Sequence, residues 1–290
     1  MKIPGWVDRA EYPFEPRLID VGAGESLSVI DEGSGPPVVF SHGTPTWSFE
    51  WRHLVKALCG THRCIAPDHL GFGLSPRPAD ADYSPEAHAA RFGRLLDRLD
   101  LGRFSLVAHD FGGPIALDAA LERVDRLERV VLFNTIAWPF TDTGARAAKL
   151  AGSGLFRWLY RPLNLSFVIS RSAWGRGPRP AAMWRQYTQV FPDADSRERV
   201  LFALARSLAG STAFFQSLWD RRARLANTPL QIIWGLADNA FTPDVLERFR
   251  QCWPHAQVTT LPRAGHWPHE EEAAVCSEAV QAFLSQPSQG

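Results

Sequence analysis

Cysteine, methionine and tyrosine are scarce in this chain of 290 residues, which has four, two and four of them. No two cysteines form a C-x-x-C pair, and none stands at a zinc-like spacing from histidine. We therefore expect four reduced, mostly buried thiols. Neither a disulfide framework nor a bound metal is predicted.

The chain also lacks a net charge of one sign, since 31 Lys and Arg residues face 31 Asp and Glu residues. A chain-wide basic field for nucleic acid or for an acidic membrane is therefore not expected. No apolar run approaches the roughly 18 residues that span a bilayer. The first 14 residues carry charge and two prolines but no apolar signal-peptide segment. We expect a cytoplasmic globular protein, either a monomer or a homodimer.

Apolar residues are plentiful, at 45% of the chain, and they fall in a recurrent pattern. Short β-rich runs occur at residues 37–41, 63–67, 104–108 and 129–133. Helical patterns lie between them, for example over residues 85–99, where apolar residues recur every three or four positions. Buried strands separated by amphipathic helices predict a parallel sheet with helices on both faces.

The middle of the chain has a different pattern. Residues 143–160, 180–190 and 196–222 are predicted to be helical, with Gly- and Pro-rich breaks at 152–154 and 175–180. Strand-like runs resume at 230–234 and 257–261. We therefore predict a core domain of residues 1–136 and 226–290, with a helical cap of residues 137–225 over one end of the sheet.

The segment AHDFGGP, residues 108–114, carries the first chemical signal. A β-run stops at Asp110, Gly112 and Gly113 allow close packing, and Pro114 suits the first turn of a helix. This pattern is typical of a nucleophile elbow, which presents one side chain at the carboxyl end of a sheet. A carboxylate there can displace a leaving group from saturated carbon, giving an ester that must be hydrolysed. The alternative is an Asp that only caps a helix.

Two further residues complete a possible triad. His266 follows a glycine just after the last β-run, and Asp238 follows the run before it. The order nucleophile, acid, histidine is that of the α/β hydrolases. Each residue alone also has an ordinary explanation, because a lone histidine is usually structural and Asp238-Asn239 is common turn chemistry.

A fourth segment, SHGTPTW at residues 41–47, follows the β-rich run at 37–41. In folds with a nucleophile elbow, this loop supplies one backbone N–H of the oxyanion hole, here near Thr44. The second donor is the residue after the nucleophile, here Phe111. His42 and His109 are expected to hydrogen-bond to backbone near the site.

Taken together, these motifs resemble the α/β-hydrolase superfamily and, within it, the haloalkane dehalogenases. Four segments carry the resemblance: HGTPTWSFEWR at 42–52, APDHLGFGLS at 66–75, the Asp110 elbow, and AGHWP at 264–268. The resemblance implies an α/β-hydrolase fold, with a mostly parallel central sheet flanked by helices and a helical cap insertion. It also implies that Asp110 attacks a carbon bearing halogen, and that His266, oriented by Asp238, activates the water that hydrolyses the ester. The substrate would be a small, apolar, halogenated molecule, and no cofactor is implied.

The chain departs from that family at two positions. Typical members carry Trp directly after the nucleophile, where its indole N–H holds the halide, whereas this chain has Phe111, which has no side-chain donor. One subgroup carries Asn where this chain has Thr44. Replacement donors or pocket residues are sought among the tryptophans, with core packing as the alternative for each: Trp47, Trp138, Trp158 and Trp174.

Another subgroup places its acid where this chain has Asn134, which cannot ionise. Asp238 is therefore the predicted acid, and Asn134 is expected to line the substrate pocket or to support the loop.

Three other functions stay open. An epoxide hydrolase would need two cap tyrosines as donors, and the predicted cap has only Tyr160 and Tyr187. The phrase PDHLGFGL at 67–74 resembles the β-lactone decarboxylases of hydrocarbon synthesis. A non-catalytic binding protein on this fold is the third alternative.

Overall fold

The computed structural model describes residues 1–140 and 152–287. One eight-stranded sheet runs through its centre, in the order β1-β2-β4-β3-β5-β6-β7-β8. The strands are β1 Arg17–Gly22, β2 Glu25–Glu32, β3 Pro37–Ser41, β4 Arg63–Pro67, β5 Phe104–Asp110, β6 Leu127–Thr135, β7 Leu230–Gly235 and β8 Gln257–Leu261. The β1–β2 and β2–β4 pairs are antiparallel, and the others are parallel. The predicted fold class is confirmed.

The central strands are buried because helices cover both faces of the sheet. All seven residues of β5 are buried, as expected for a strand in the middle of a parallel sheet. Its predicted run ended at residue 108, but the strand continues to Asp110. Strands β1 and β2 were not predicted from the sequence. Strand β1 lies at the sheet edge, and four of its six residues are exposed, so it lacks the buried apolar run of a central strand.

Helices of the sheet-bearing part follow the strands in the order expected for an α/β fold. Their bounds are Arg52–Leu58, Pro85–Arg98, Gly112–Leu121, Pro243–Cys252, Pro268–Glu271 and Ala273–Leu284, with 3-10 turns at Ser48–Trp51, Val124–Arg126 and Arg222–Leu225. The predicted helix at 85–99 forms because Pro85 occupies its first turn and the Ser84 hydroxyl accepts a hydrogen bond from the Ala87 amide.

Between β6 and β7, the described residues 152–225 contain helices and turns but no strand. The helices are Gly154–Leu163, Leu165–Ser170, Ala181–Thr188, Ala194–Ser196, Ala203–Gly210 and Thr212–Asp220, with a 3-10 turn at Arg171–Ala173 and a π-helical turn at Arg197–Phe202. The predicted helix at 196–222 is therefore divided, and helix Leu165–Ser170 was not predicted. Of the predicted helix at 143–160, residues 143–151 lie outside the described residues. The cap bounds 137–225 stay a prediction.

Within residues 1–140 and 152–287, no helix combines the length and the apolar character needed to cross a membrane.

The parallel strands bring four chain segments to one edge of the sheet. Strand β5 ends at Asp110, β6 at Thr135, β7 at Gly235 and β8 at Leu261. Because parallel strands share a direction, the loops after these residues lie side by side. This edge holds the candidate site.

Candidate active site

Asp110 occupies a strained turn between β5 and the helix that begins at Gly112. Its backbone φ is +49°, a left-handed conformation that costs a non-glycine residue about 1–2 kcal/mol. The turn is tight on both sides: a Cβ on Gly43 would lie 2.5 Å from the Asp110 Cβ, and one on Gly112 would lie 2.3 Å from the Ser41 carbonyl oxygen. The glycines therefore allow the strained turn that presents the carboxylate.

The three residues predicted to form a triad lie side by side, with the His266 ring between the two carboxylates. The His266 Nε2 atom lies 3.3 Å from Oδ2 of Asp110, and its Nδ1 atom lies 2.8 Å from Oδ2 of Asp238. All three side chains are buried. The structure thus brings together residues that are far apart in the sequence, in the geometry of a nucleophile, a base and an orienting acid.

The two carboxylates control the protonation of His266. Burial lowers the pKa of His266, but the negative charges and hydrogen bonds of Asp238 and Asp110 outweigh burial and raise it to about 10. Burial raises the pKa of Asp238, yet the neighbouring His266 and other donors hold it below its usual value. The two carboxylates on either side of His266 therefore favour the protonated form of its ring.

A backbone donor holds the second oxygen of the nucleophile. The Thr44 amide donates to Oδ1 of Asp110 over 2.8 Å. This bond places an N–H where a negative oxygen forms when an ester on Asp110 is attacked. The predicted donor loop is therefore in place, whereas the contribution of the Phe111 amide stays a prediction.

Asn134 lies behind the acid and does not line a substrate pocket. Its amide nitrogen donates to Oδ2 of Asp238 over 2.9 Å and to the Gly235 carbonyl, and its oxygen accepts from the Gly235 amide. The side chain is fully buried with both polar atoms in use. Of the two roles considered for Asn134, the structure supports the one in the loop.

The four candidate tryptophans differ in position. The Trp47 indole N–H donates to the Gln186 carbonyl over 3.0 Å, so the prediction that it holds a halide is wrong. Trp158 is 78% exposed on the surface, so it does not line a buried substrate pocket.

Trp138 is buried against Trp219 and Phe249, which is a packing role. Trp174 packs on Trp267, the neighbour of His266, with ring centroids 5.9 Å apart. Its indole N–H is buried without a hydrogen-bond acceptor among the described residues. Trp174 is thus the candidate that retains an unused donor.

Three buried residues behind the site were not predicted to act together. Glu50, His109 and His269 place one donor atom each within 4.8 Å of one another, and among the described residues this set could hold a metal ion. His109 directly precedes the nucleophile, and His269 follows His266 by three positions. Glu50 carried no signal, since nothing in its local sequence separates a buried glutamate from a surface one.

The segment around residue 174, in the helical region between β6 and β7, is bonded to the loop that carries His266. The Ala173 carbonyl accepts from the His266 amide over 2.8 Å. The Glu271 carboxylate accepts from the Gly175 amide over 2.9 Å and from the Gly265 amide over 3.0 Å. Backbone from the helical region between β6 and β7 therefore packs directly against the loop that carries His266.

Comparisons with known proteins agree with this geometry. The family profile of the alpha/beta hydrolase fold matches residues 36–273. Haloalkane dehalogenase 2 of Mycobacterium tuberculosis is 37% identical over 275 residues, covering 93% of this chain and 95% of that protein. The cis-3-alkyl-4-alkyloxetan-2-one decarboxylase of Xanthomonas campestris is 34% identical over 291 residues, covering 94% and 97%.

Among solved structures, the haloalkane dehalogenase DatA from Agrobacterium tumefaciens superimposes with a TM-score of 0.80 at 25% identity, covering 93% of this chain and 96% of that one. The profile extends over most of the chain, and its range includes positions 110, 238 and 266. The chain therefore belongs to the α/β-hydrolase fold family and, within it, to the haloalkane dehalogenase-like enzymes.

Proposed function

We propose that this enzyme hydrolyses carbon–halogen bonds of small apolar haloalkanes through an alkyl ester on Asp110. One observation carries the proposal: a carboxylate, instead of a hydroxyl, occupies the elbow with Oδ1 bonded to the Thr44 amide and Oδ2 facing His266. A carboxylate at this position suits displacement at saturated carbon.

In the first step, a carboxylate oxygen of Asp110 attacks the carbon that bears the halogen. A C–O bond forms as the C–X bond breaks, and the halide leaves with the bonding electron pair. His266 is protonated at this stage, because Asp110 and Asp238 raise its pKa to about 10 against the effect of burial.

In the second step, His266 acts on water. Alkylation removes the negative charge of Asp110, so one of the two carboxylates that raise the pKa of His266 is lost and the imidazole can release its proton. Neutral Nε2 then takes a proton from water as the water oxygen attacks the ester carbon. The Thr44 amide stabilises the resulting oxyanion on Oδ1. Collapse passes that proton to the departing alcohol and leaves Asp110 as a carboxylic acid. The acid proton then moves to Nε2 of His266, which restores the Asp110 carboxylate and the imidazolium.

Trp174 is the residue we assign to the departing halide. Phe111 offers no side-chain donor, and the Trp47 donor is bonded to backbone. The Trp174 N–H is buried and unused among the described residues, and its ring packs on the neighbour of His266. An indole N–H at the leaving group would stabilise the negative charge that develops there.

A second candidate function is the opening and decarboxylation of a strained β-lactone. The missing donor at Phe111 favours it, because ring opening leaves a tethered carboxylate and requires no separate halide site. The Xanthomonas campestris relative is named for such a substrate. Epoxide hydrolysis is less well supported, because the Tyr187 hydroxyl donates to Glu270 and is not free for an epoxide oxygen.

The deciding experiment presents three substrate classes to the purified enzyme side by side. These are a series of 1-bromo- and 1-iodoalkanes, styrene oxide, and a cis-3,4-dialkyloxetan-2-one, with halide, diol and alkene measured. We expect halide release from wild type, none from Asp110→Asn, and little diol. Consumption of the lactone without halide release would favour the second candidate. Turnover that survives in Asp110→Asn would exclude the covalent mechanism. The cytoplasmic location stays a prediction from the sequence.

A further inference from the structure

Glu50 contacts the chain segments that carry the functional groups of the site. Its Oε1 atom accepts from the Gly43 amide over 3.2 Å, one residue before the Thr44 donor. The same oxygen lies 3.3 Å from Nδ1 of His109, one residue before the nucleophile. The side chain is fully buried. One carboxylate therefore bridges the oxyanion loop and the elbow.

His109 extends this bridge to the base. Its Nε2 atom lies 2.8 Å from the carbonyl oxygen of His266. A carbonyl oxygen only accepts, so Nε2 carries a hydrogen. The other ring nitrogen faces a carboxyl oxygen of Glu50, and two lone pairs would repel there. A second proton must therefore lie between Nδ1 and Glu50, so the buried pair shares one proton and has no net charge.

The surroundings of the pair favour this distribution of charge. Burial raises the pKa of Glu50, but its neighbours, His109 foremost, outweigh burial and hold the value far below normal. Burial lowers the pKa of His269 to about 4, so that ring is neutral and does not compete for the charge. Trp51 stacks on His269 with ring centroids 4.7 Å apart and closes the cluster from that side.

We propose that Glu50 and His109 are positioning residues, a buried proton-sharing pair that fixes the Thr44 amide, Asp110 and His266 relative to one another. The pair does not contact the substrate and acts through the backbone of its neighbours. Its kinetic test rests on the proposed function, since the measured step is hydrolysis of the alkyl ester on Asp110.

The pair is expected to matter more for ester hydrolysis than for alkylation. Hydrolysis needs a water molecule, the His266 ring and the Thr44 amide in register around one carbon, whereas alkylation needs only the Asp110 carboxylate and the substrate. Misplacement of a catalytic group by about 1 Å can cost on the order of 100-fold in rate. Loss of the pair should therefore slow the second step selectively.

The variants are Glu50→Gln, His109→Gln and the double variant, with His88→Gln as the matched control. In Glu50→Gln, the amide oxygen would accept from the Gly43 amide and would also face Nδ1 of His109. Nδ1 would therefore need a proton, which would leave a buried His109 imidazolium without a carboxylate beside it. The double variant is neutral and still offers an amide donor to the His266 carbonyl. His88 is an equally buried histidine whose ring nitrogens have no partners among the described residues.

Rapid-quench kinetics separate the two steps. We expect Glu50→Gln to lower the rate of ester hydrolysis about 10- to 100-fold while the halide burst changes less than about three-fold. The ester should then accumulate on Asp110 in mass spectra of the intact protein. The double variant should regain at least about five-fold over Glu50→Gln, because charge balance is restored. His88→Gln should retain the wild-type rates.

A second measurement does not depend on any substrate. In protein labelled with ¹⁵N-histidine, the His266 ring signals are identified by their loss in His266→Phe. We expect these signals to shift in Glu50→Gln, to return towards wild type in the double variant, and to stay in place in His88→Gln. If wild type turns over no haloalkane, the proposed function fails, and this measurement still decides the role of the pair.

Three results would overturn the inference. The first is a folded Glu50→Gln with wild-type kinetics and wild-type His266 signals. The second is an equal loss in both steps with no recovery in the double variant, which indicates a packing role. The third is a stoichiometric transition metal that is lost in Glu50→Gln, which would make Glu50, His109 and His269 ligands.

Discussion

The side-chain amide of Asn134 donates to Oδ2 of Asp238 over 2.9 Å, and this is the oxygen that faces Nδ1 of His266 at 2.8 Å. Strand β6 thus supplies the support, and the loop after β7 supplies the carboxylate. Because the Gly235 amide and carbonyl bond to the same Asn134 side chain, the support and the loop that carries the acid are joined.

Asn134→Ala should lower kcat about ten-fold, since a hydrogen bond to a charged group contributes about 1.5 kcal/mol. Asp238 would lose a donor and hold the imidazole less firmly. Steady-state halide release measures the effect. The matched control is Asn239→Ala, whose exposed side chain donates instead to the Ser172 carbonyl. Equal decreases of kcat in the two variants would show that the hydrogen bond from Asn134 to Asp238 does not contribute to the rate.

His266→Phe should trap the covalent intermediate. The first step needs only Asp110 and the leaving group, whereas the second needs the base. One equivalent of halide should be released, and peptide mass spectrometry should find the alkyl group on Asp110. The double variant Asp110→Asn/His266→Phe should carry no adduct. A trapped group on any other residue would contradict the assignment of the nucleophile.

Phe111→Trp should raise kcat/KM for bromoalkanes about ten-fold, because the indole N–H restores a donor next to the nucleophile. Phe111→Leu provides a control for changed packing, since it adds no donor. The same substitution should not help β-lactone opening, so the ratio of the two activities is the informative quantity. A fall in halide release with unchanged folding would show that the donor is supplied elsewhere.

Trp174→Phe should lower halide release about ten-fold while preserving the apolar ring, because it removes the unused N–H. Trp138→Phe is the matched control, as Trp138 packs against Trp219 and Phe249. The loss should be larger for chloride than for iodide leaving groups, since the smaller ion depends more on donors. Similar losses in both variants would show that the Trp174 N–H does not bind the halide.

Stability should depend on pH through Glu271. Burial raises its pKa from 4.5 to about 7, although the Gly265 and Gly175 amides act in the opposite direction. The folded state therefore binds more protons than the unfolded state between these values, so this contribution to stability is complete below about pH 4.5 and is lost as pH rises through 7. Urea unfolding at pH 5 and 7.5 should show a smaller decrease for Glu271→Gln than for wild type. Equal decreases would contradict the raised pKa.

Local sequence was sufficient for the parts of the molecule where one segment determines its own structure. Strands β3, β4 and β8 have the predicted bounds, because each is a short β-rich run between turn residues. The elbow was recognisable because a strained turn needs glycines on both sides of its nucleophile. The nucleophile, acid and histidine each follow a strand, and a parallel sheet collects such positions at one edge.

Local sequence did not predict the roles of residues that depend on long-range contacts. The functions of Trp47 and Asn134 depend on partners 139 and 104 positions away, Gln186 and Asp238. Trp158 and Trp174 have similar local sequence character, yet one lies on the surface and the other against the catalytic loop. Burial of these residues is decided by how the cap packs, which no periodicity in the cap sequence encodes.

The bond between the Ala173 carbonyl and the His266 amide joins the helical region between β6 and β7 to the backbone of His266. A substitution that displaces residues 172–176 should therefore also displace the His266 backbone. Changes in a segment about 90 positions away in the sequence are in this way transmitted to the imidazole by a single stretch of main chain.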